Sequence, residues 1–171
     1  MAGMVSTEKE YLKMSVWEIW KSRIPWLLLL MISATFTGKV IQNYENSLAK
    51  YAILTSFIPM IMGTVGNAGG QTSVTIIRGL SLDEIEFKDT FKIIWKEIRA
   101  GVIIGFTLAI ANFIKLITID HISVIISFVV CLTLLVTIII AKIVGCLLPL
   151  GAKKVGFDPA VMASPFITTI L

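Results

Sequence analysis

Charge is scarce in this chain, and what there is of it is clustered. Of 171 residues only 15% are Asp, Glu, Lys or Arg while 56% are hydrophobic, and the mean hydropathy of +0.89 exceeds what a soluble domain carries on its surface. A water-facing globule is excluded, and most of the surface must meet lipid. His121 is the lone histidine, with no neighbouring Cys, His or paired carboxylate to make a metal site. No Ser/His, paired-Asp or HExxH constellation is present, so an intramembrane enzyme finds no support. Cysteine is limited to Cys131 and Cys146, in one mostly apolar stretch and at a spacing that suits neither a disulfide nor zinc. Both read as packing residues. No small-residue cleavage site closes the first apolar run, and charged residues 1–23 precede it, so it reads as an anchor rather than a removable signal.

Between the charges lie five uncharged runs: Ile24–Gly38, Tyr51–Ile77, Ala100–Ile114, Ile122–Ala141 and Pro159–Leu171. A spanning helix needs roughly 20 mostly apolar residues, and flanking Lys or Arg can snorkel to extend a shorter run. The first four runs meet that condition. The last supplies 13 uncharged residues, roughly 20 Å at about 1.5 Å per residue, and is expected to be an incomplete fifth span. The predicted fold is an all-α membrane protein, with residues 24–171 as a five-helix transmembrane domain.

Lys and Arg concentrate in cytoplasmic loops. Lys9, Lys13, Lys21 and Arg23 precede the first run, Arg78, Lys88, Lys92, Lys96 and Arg99 separate the second from the third, and Lys153 and Lys154 precede the fifth. The alternate loops hold Lys39, Lys50 and Lys115. The expected protein is a multi-pass cell-membrane protein, inner or plasma membrane, with a cytoplasmic N-terminus. Topology explains the net charge of +4 without a nucleic-acid partner. Over residues 1–23, Thr7-x-x-Glu10 reads as a capping box, Leu12, Val16 and Ile19 share a face, and Trp17 and Trp20 lie nearby. Together they predict an amphipathic linking helix at the cytoplasmic surface.

The second run is the unusual one. It holds Pro59, Gly63, Gly66, Asn67, Gly69, Gly70 and Gln71, and glycines this dense would weaken a lipid-exposed helix while Pro59 removes a backbone bond. Such backbone is tolerated at membrane depth where it packs on protein or lines a watery cavity. Helical spacing aligns Pro59, Gly63, Gly66, Asn67, Gly70 and Val74, a face almost without bulk but carrying an amide. One use is close helix approach. The other leaves carbonyls and the Asn67 amide open to a permeating hard cation, making Asn67 a candidate metal contact.

Elsewhere, Ser81-x-x-Glu84 and Asp89 before Thr90 look like helix starts. Asp83, Glu84, Glu86 and Asp89 form an acidic group beside lysines, read as a solvated loop with local ion pairs or as a weak regulatory cation site. Gly101, Gly105 and Asn112 suit packing in the third span, and Lys115, Asp120 and His121 mark the next loop. Lys142 is expected to snorkel from the fourth span, and Pro149, Gly151 and Gly156 to break that helix. Asp158-Pro159 reads as a cap and first turn, with Asp158 a possible metal ligand. Ser164 and Thr168 then share a face that would continue at position 172. No run contains an ionisable acid, although a divalent-cation pore needs negative charge near its narrowest point. An expected part is missing from these residues.

From Gly66-Asn-Ala-Gly-Gly-Gln71 through Thr75-Ile-Ile-Arg-Gly-Leu80, the chain resembles the MgtE family of magnesium channels and transporters. Asp158-Pro-Ala-Val-Met-Ala-Ser-Pro-Phe-Ile-Thr-Thr169 resembles a second signature of that family, and the likeness, including Ile19-Trp20 to Pro25-Trp26, covers essentially the whole chain. The resemblance implies a homodimer in the lipid bilayer that conducts Mg2+, its transported and bound ion, through a pore between subunits lined by the second and fifth helices. The family's pore positions fall on Gly63, Gly66 and Gly70, and on Ser164 and Thr168; some members have Asn where Gly70 and Ser164 stand. The family's central aspartate would fall one residue beyond Leu171, so residues 1–171 alone are expected to conduct poorly. The resemblance also implies an N-terminal cytoplasmic domain and cystathionine-synthase-type regulatory domains, neither present in this sequence. The competing readings are an ion-coupled secondary divalent-cation transporter and a non-conducting assembly subunit.

Overall fold

A computed structural model describes residues 14–156 and Pro159 of the chain. Ser15 opens α1 (Val16–Asn43) with a reciprocal capping box: the Glu18 N–H donates to the Ser15 hydroxyl at 3.3 Å, and the Ser15 N–H to the Glu18 carboxylate at 2.8 Å. Thr7, Glu10 and Leu12 lie outside the described residues. α1 runs 28 residues straight through Pro25, so no break separates the end of the expected linking helix from the first span. It buries none of its apolar window.

Two short helices, α2 (Glu45–Lys50) and α3 (Ala52–Thr55), lead to α4 (Ile58–Ser81). Pro59 stands in the first turn of α4, where its missing N–H would have had no helical partner. The expected lost bond is therefore not lost, and Pro59 starts the helix instead of weakening it. The expected start at Ser81 is also overturned, because Ser81 is the last residue of α4 and its hydroxyl donates to the Ile77 carbonyl at 2.9 Å. Asp83 then takes a left-handed φ of 54°, and the Glu84 and Ile85 N–H groups turn back onto the Gly79 carbonyl at 2.9 and 3.2 Å. That closure spends the backbone donors a capping box would have used.

Asp89 does precede α5 (Thr90–Thr118), after a 3-10 turn at Phe87–Asp89. Its carboxylate pairs with Lys92 at 3.6 Å and does not cap the helix. The chain reverses at Lys115, which bridges Asp120 at 2.6 Å, and at His121, with a φ of 52°. α6 (Val124–Val155) follows; it runs on through Pro149 and Gly151, which were expected to break it, and ends only at Gly156, with a φ of 83°. The left-handed conformation at a helix end is the one a Cβ would strain. Both long helices outrun their uncharged stretches: α5 begins well before Ala100 and α6 ends well past Ala141. Glu97 and Lys142, fringe residues by composition, thereby become helical residues facing the bundle.

α6 is central, packed on α4 and on α5. Phe57, Ala109, Leu116, Val130 and Cys131 form one apolar cluster, Val65, Ala68, Leu134, Ile138 and Ala141 a second, and Ile76, Leu80, Cys146 and Leu150 a third. In lipid no hydrophobic force drives helices together, so shape and polar contacts must hold them. Glycine supplies the shape. A Cβ on Gly145 would stand 2.4 Å from the Gly69 carbonyl oxygen, and one on Gly105 would stand 3.3 Å from the Leu135 carbonyl oxygen. The described residues are all-helical in their regular structure and hold four segments long and apolar enough to cross a membrane: Val16–Asn43, Ala52–Ser81, Phe87–Thr118 and Val124–Val155. The expected fifth span lies, Pro159 apart, outside the described residues.

Candidate ion-pathway face

α4 has two unlike faces. Val65, Ala68, Thr72, Ser73, Ile76 and Leu80 turn inward and are buried. On the opposite side Gly63, Asn67 and Val74 are exposed, and Gly66 and Gly70 are half-buried. A Cβ built on Gly63, Gly66 or Gly70 would meet nothing within 4 Å among the described residues. The hydroxyls on the helix flanks are self-satisfied, Thr64 donating to the Met60 carbonyl at 2.8 Å and Thr75 to the Gln71 carbonyl at 2.9 Å. What this face offers a visitor is bare backbone, the Asn67 amide and room.

The predicted α4 residues, Gly63, Gly66, Asn67 and Gly70, are thus gathered on one open face. Asp158, Ser164 and Thr168 lie outside the described residues. Among the described residues no group of three or more His, Cys, Asp or Glu is placed to hold a metal ion. The acidic group after α4 forms local pairs, Glu86 with Lys88 at 2.8 Å and Asp89 with Lys92 at 3.6 Å. Asn112 is turned inward and donates to Cys131 Sγ at 3.6 Å, which ties α5 to α6. At the far end of α4, the Lys153 ammonium donates to the Leu80 carbonyl at 3.2 Å, and Lys154 lies 4.8 Å from the centre of the Phe87 ring.

Two expectations need correction at the centre of the bundle. Lys142 does not snorkel: it is 6% exposed, and its ammonium reaches Glu97 at 3.1 Å and Thr72 at 3.0 Å. Glu97 lies outside every uncharged run, none of which holds an ionisable acid, yet it falls inside α5 with its side chain 16% exposed. The cause is the length of the helices, which carries the charged fringe of one onto the face of another. A signal was present in small residues nearby. Gly101 lies one turn beyond Glu97, and a Cβ there would stand 3.3 Å from Lys142 Cδ, so the missing side chain makes the trough in which the lysine stem rests.

The family model of MgtE, described as a divalent cation transporter, matches residues 58–171, starting at the first residue of α4. The magnesium transporter MgtE of Bacillus subtilis (strain 168) is 34% identical over 148 residues, which is 86% of this chain and 33% of that protein. Its namesake in Enterococcus faecalis is 31% identical over 169 residues, 99% of this chain and 37% of the relative. That of Thermus thermophilus is 29% identical over 152 residues, 89% and 33% of the two. The chain therefore spans about a third of the length of the curated relatives it matches. With the open glycine face of α4 inside the matched region, and four helices fit to cross a bilayer, the chain belongs to the MgtE family of divalent cation transporters.

Proposed function

We propose that this chain is the membrane part of a magnesium-transporting protein, a homodimer whose ion path runs between subunits. α4 would line it with Gly63, Gly66, Asn67 and Gly70, and the segment after Pro159 with Ser164 and Thr168. The observation that carries the reading is the open face of α4, where three glycines meet nothing within 4 Å among the described residues. Relatives bearing the name magnesium transporter support the choice of ion. Chemistry supports it too: Mg2+ sheds water reluctantly, so a path of carbonyls and an amide suits a hydrated ion better than a cage of side chains. No bond changes, and the membrane potential drives inward flow with about 2.3 kcal/mol per charge per 100 mV, doubled for a divalent ion. In this reading the N-terminus is cytoplasmic, and regulatory cytoplasmic domains belong to the longer protein.

The test is Gly66→Leu in the full-length protein reconstituted in liposomes, with Mg2+ influx read by an indicator dye and assembly by cross-linking. A dimer that no longer passes Mg2+ is the expected result. Loss of the dimer would return the glycine face to assembly alone, and undiminished flux would place the path elsewhere. Flux that requires a proton or sodium gradient would favour a coupled transporter.

A further inference from the structure

Thr72, Glu97 and Lys142 close a triangle among three helices. The Lys142 ammonium donates to Thr72 Oγ1 at 3.0 Å and to Glu97 Oε2 at 3.1 Å, and the Thr72 hydroxyl donates to that same carboxylate oxygen at 2.8 Å. Thr72 comes from α4, Glu97 from α5 and Lys142 from α6. We propose that this triangle is a polar clamp that sets the rotation of α4 on α6, and so aims the open glycine face at the ion path; the three are positioning residues for permeation. The inference rests on the reading of that face as the path.

Helical geometry links the two sides. At about 100° per residue, Thr72 lies two positions from Gly70 and nine from Gly63, which places it across the helix from both. Holding Thr72 therefore fixes where the glycines point. A turn of one position would replace the glycine flank by a neighbouring side chain.

The clamp acts together with its surroundings. The triangle sits between the cluster of Val65, Ala68, Leu134, Ile138 and Ala141 and the cluster of Ile76, Leu80, Cys146 and Leu150. The backbones meet between Gly69 and Gly145. The glycine contact permits close approach, and in lipid no hydrophobic force adds to it in correcting a wrong rotation. Directed bonds from two other helices discriminate among rotations. The pair is also internally neutral, so it presents no net charge to a cation and fits a positioning role rather than an ion site.

Stability alone gives no reason for the pair. A buried ion pair replaced by apolar residues of similar volume is often neutral or even stabilising, and fixing register is the best-attested use of such groups. This separates a clamp from a structural filler.

The experiment uses the full-length protein in liposomes and the double variant Glu97→Met/Lys142→Met, which removes both charges together. Single cysteines placed by Gly70→Cys, on the face, or Gln71→Cys, about 100° round the helix from it, report its rotation through their labelling by a membrane-impermeant thiol reagent. Cys131 and Cys146 are buried and stay as background. A clamp predicts a folded dimer whose ratio of labelling rates shifts and whose Mg2+ flux falls about tenfold, the middle of the range for coupling through packed networks. If the double variant does not fold, Thr72→Val removes one hydroxyl at little change of volume and must shift the ratio in the same direction. Flux and ratio both within about twofold of the parent in either folded variant, inside the weakest coupling expected, would overturn the clamp. The underlying reading fails separately: Gly66→Leu that still passes Mg2+ removes the path from this face whatever the clamp does.

Discussion

The inner and outer faces of α4 both carry glycine, for opposite reasons. On the inner face Gly69 is buried where its carbonyl oxygen would lie 2.4 Å from a Cβ on Gly145. On the outer face Gly63, Gly66 and Gly70 have nothing within 4 Å of a built Cβ among the described residues. The inner glycine is explained by a neighbouring backbone. The outer ones have no such neighbour, although each weakens a helix by about 1 kcal/mol relative to alanine. What stands opposite the missing side chain, and not the density of glycine, separates the packed face from the open one.

The largest effect on folding is expected at the inner contact. Gly145→Ala would drive a methyl into backbone that cannot rotate away, so α4 and α6 must separate. Overpacking of this kind costs about 1–3 kcal/mol or more, above the roughly 1 kcal/mol gained in helix propensity. A clear drop in the melting temperature of the detergent-solubilised protein is the expected result. A variant as stable as its parent would break the claim that the inner face is closed by backbone contact.

Gly79→Ala sharpens the comparison, because its Cβ would also stand 2.4 Å from a neighbour, here Ile85 Cδ1. The same distance ends on the tip of a side chain that can change rotamer at about 1 kcal/mol. Its melting temperature should fall less than that of Gly145→Ala. Equal losses would mean that the Ile85 side chain is as fixed as a backbone. Gly101→Ala belongs lower still, its new methyl 3.3 Å from Lys142 Cδ and 3.4 Å from Ile139 Cα. Contact that tight asks for a shift of tenths of an ångström, nearly offset by the propensity gain of about 1 kcal/mol.

How much of this was legible without coordinates depends on what kind of signal each residue gives. The four spans and the common face of Gly63, Gly66, Asn67 and Gly70 follow from uncharged runs and a 3.6-residue period, both local properties. Helix ends follow less well. Ser81 carried a start signal but ends α4, since Asp83 turns left-handed and the Gly79 carbonyl collects the next two N–H groups. The inner contact of Gly69 with Gly145 and the triangle of Thr72, Glu97 and Lys142 were not legible as contacts, although the glycine at position 101 hinted at a close approach there. Each joins residues from helices whose relative rotation no single-chain pattern records, and the charges involved looked like fringe residues free to reach water.

The smallest effect on folding is expected on the outer face. Gly66→Ala and Gly70→Ala put methyls into open space, so stability should hold or rise by up to about 1 kcal/mol per site through helix propensity. If the face is the ion path, the same methyls narrow it and displace water held by the backbone. Mg2+ flux should then fall while the melting temperature stays or climbs. That opposition of sign separates the two faces, since a glycine kept for packing loses stability and function together. A fall in both readouts at Gly66 and Gly70 would mean that a second helix closes on them in the folded protein, making the outer face a contact like the inner one.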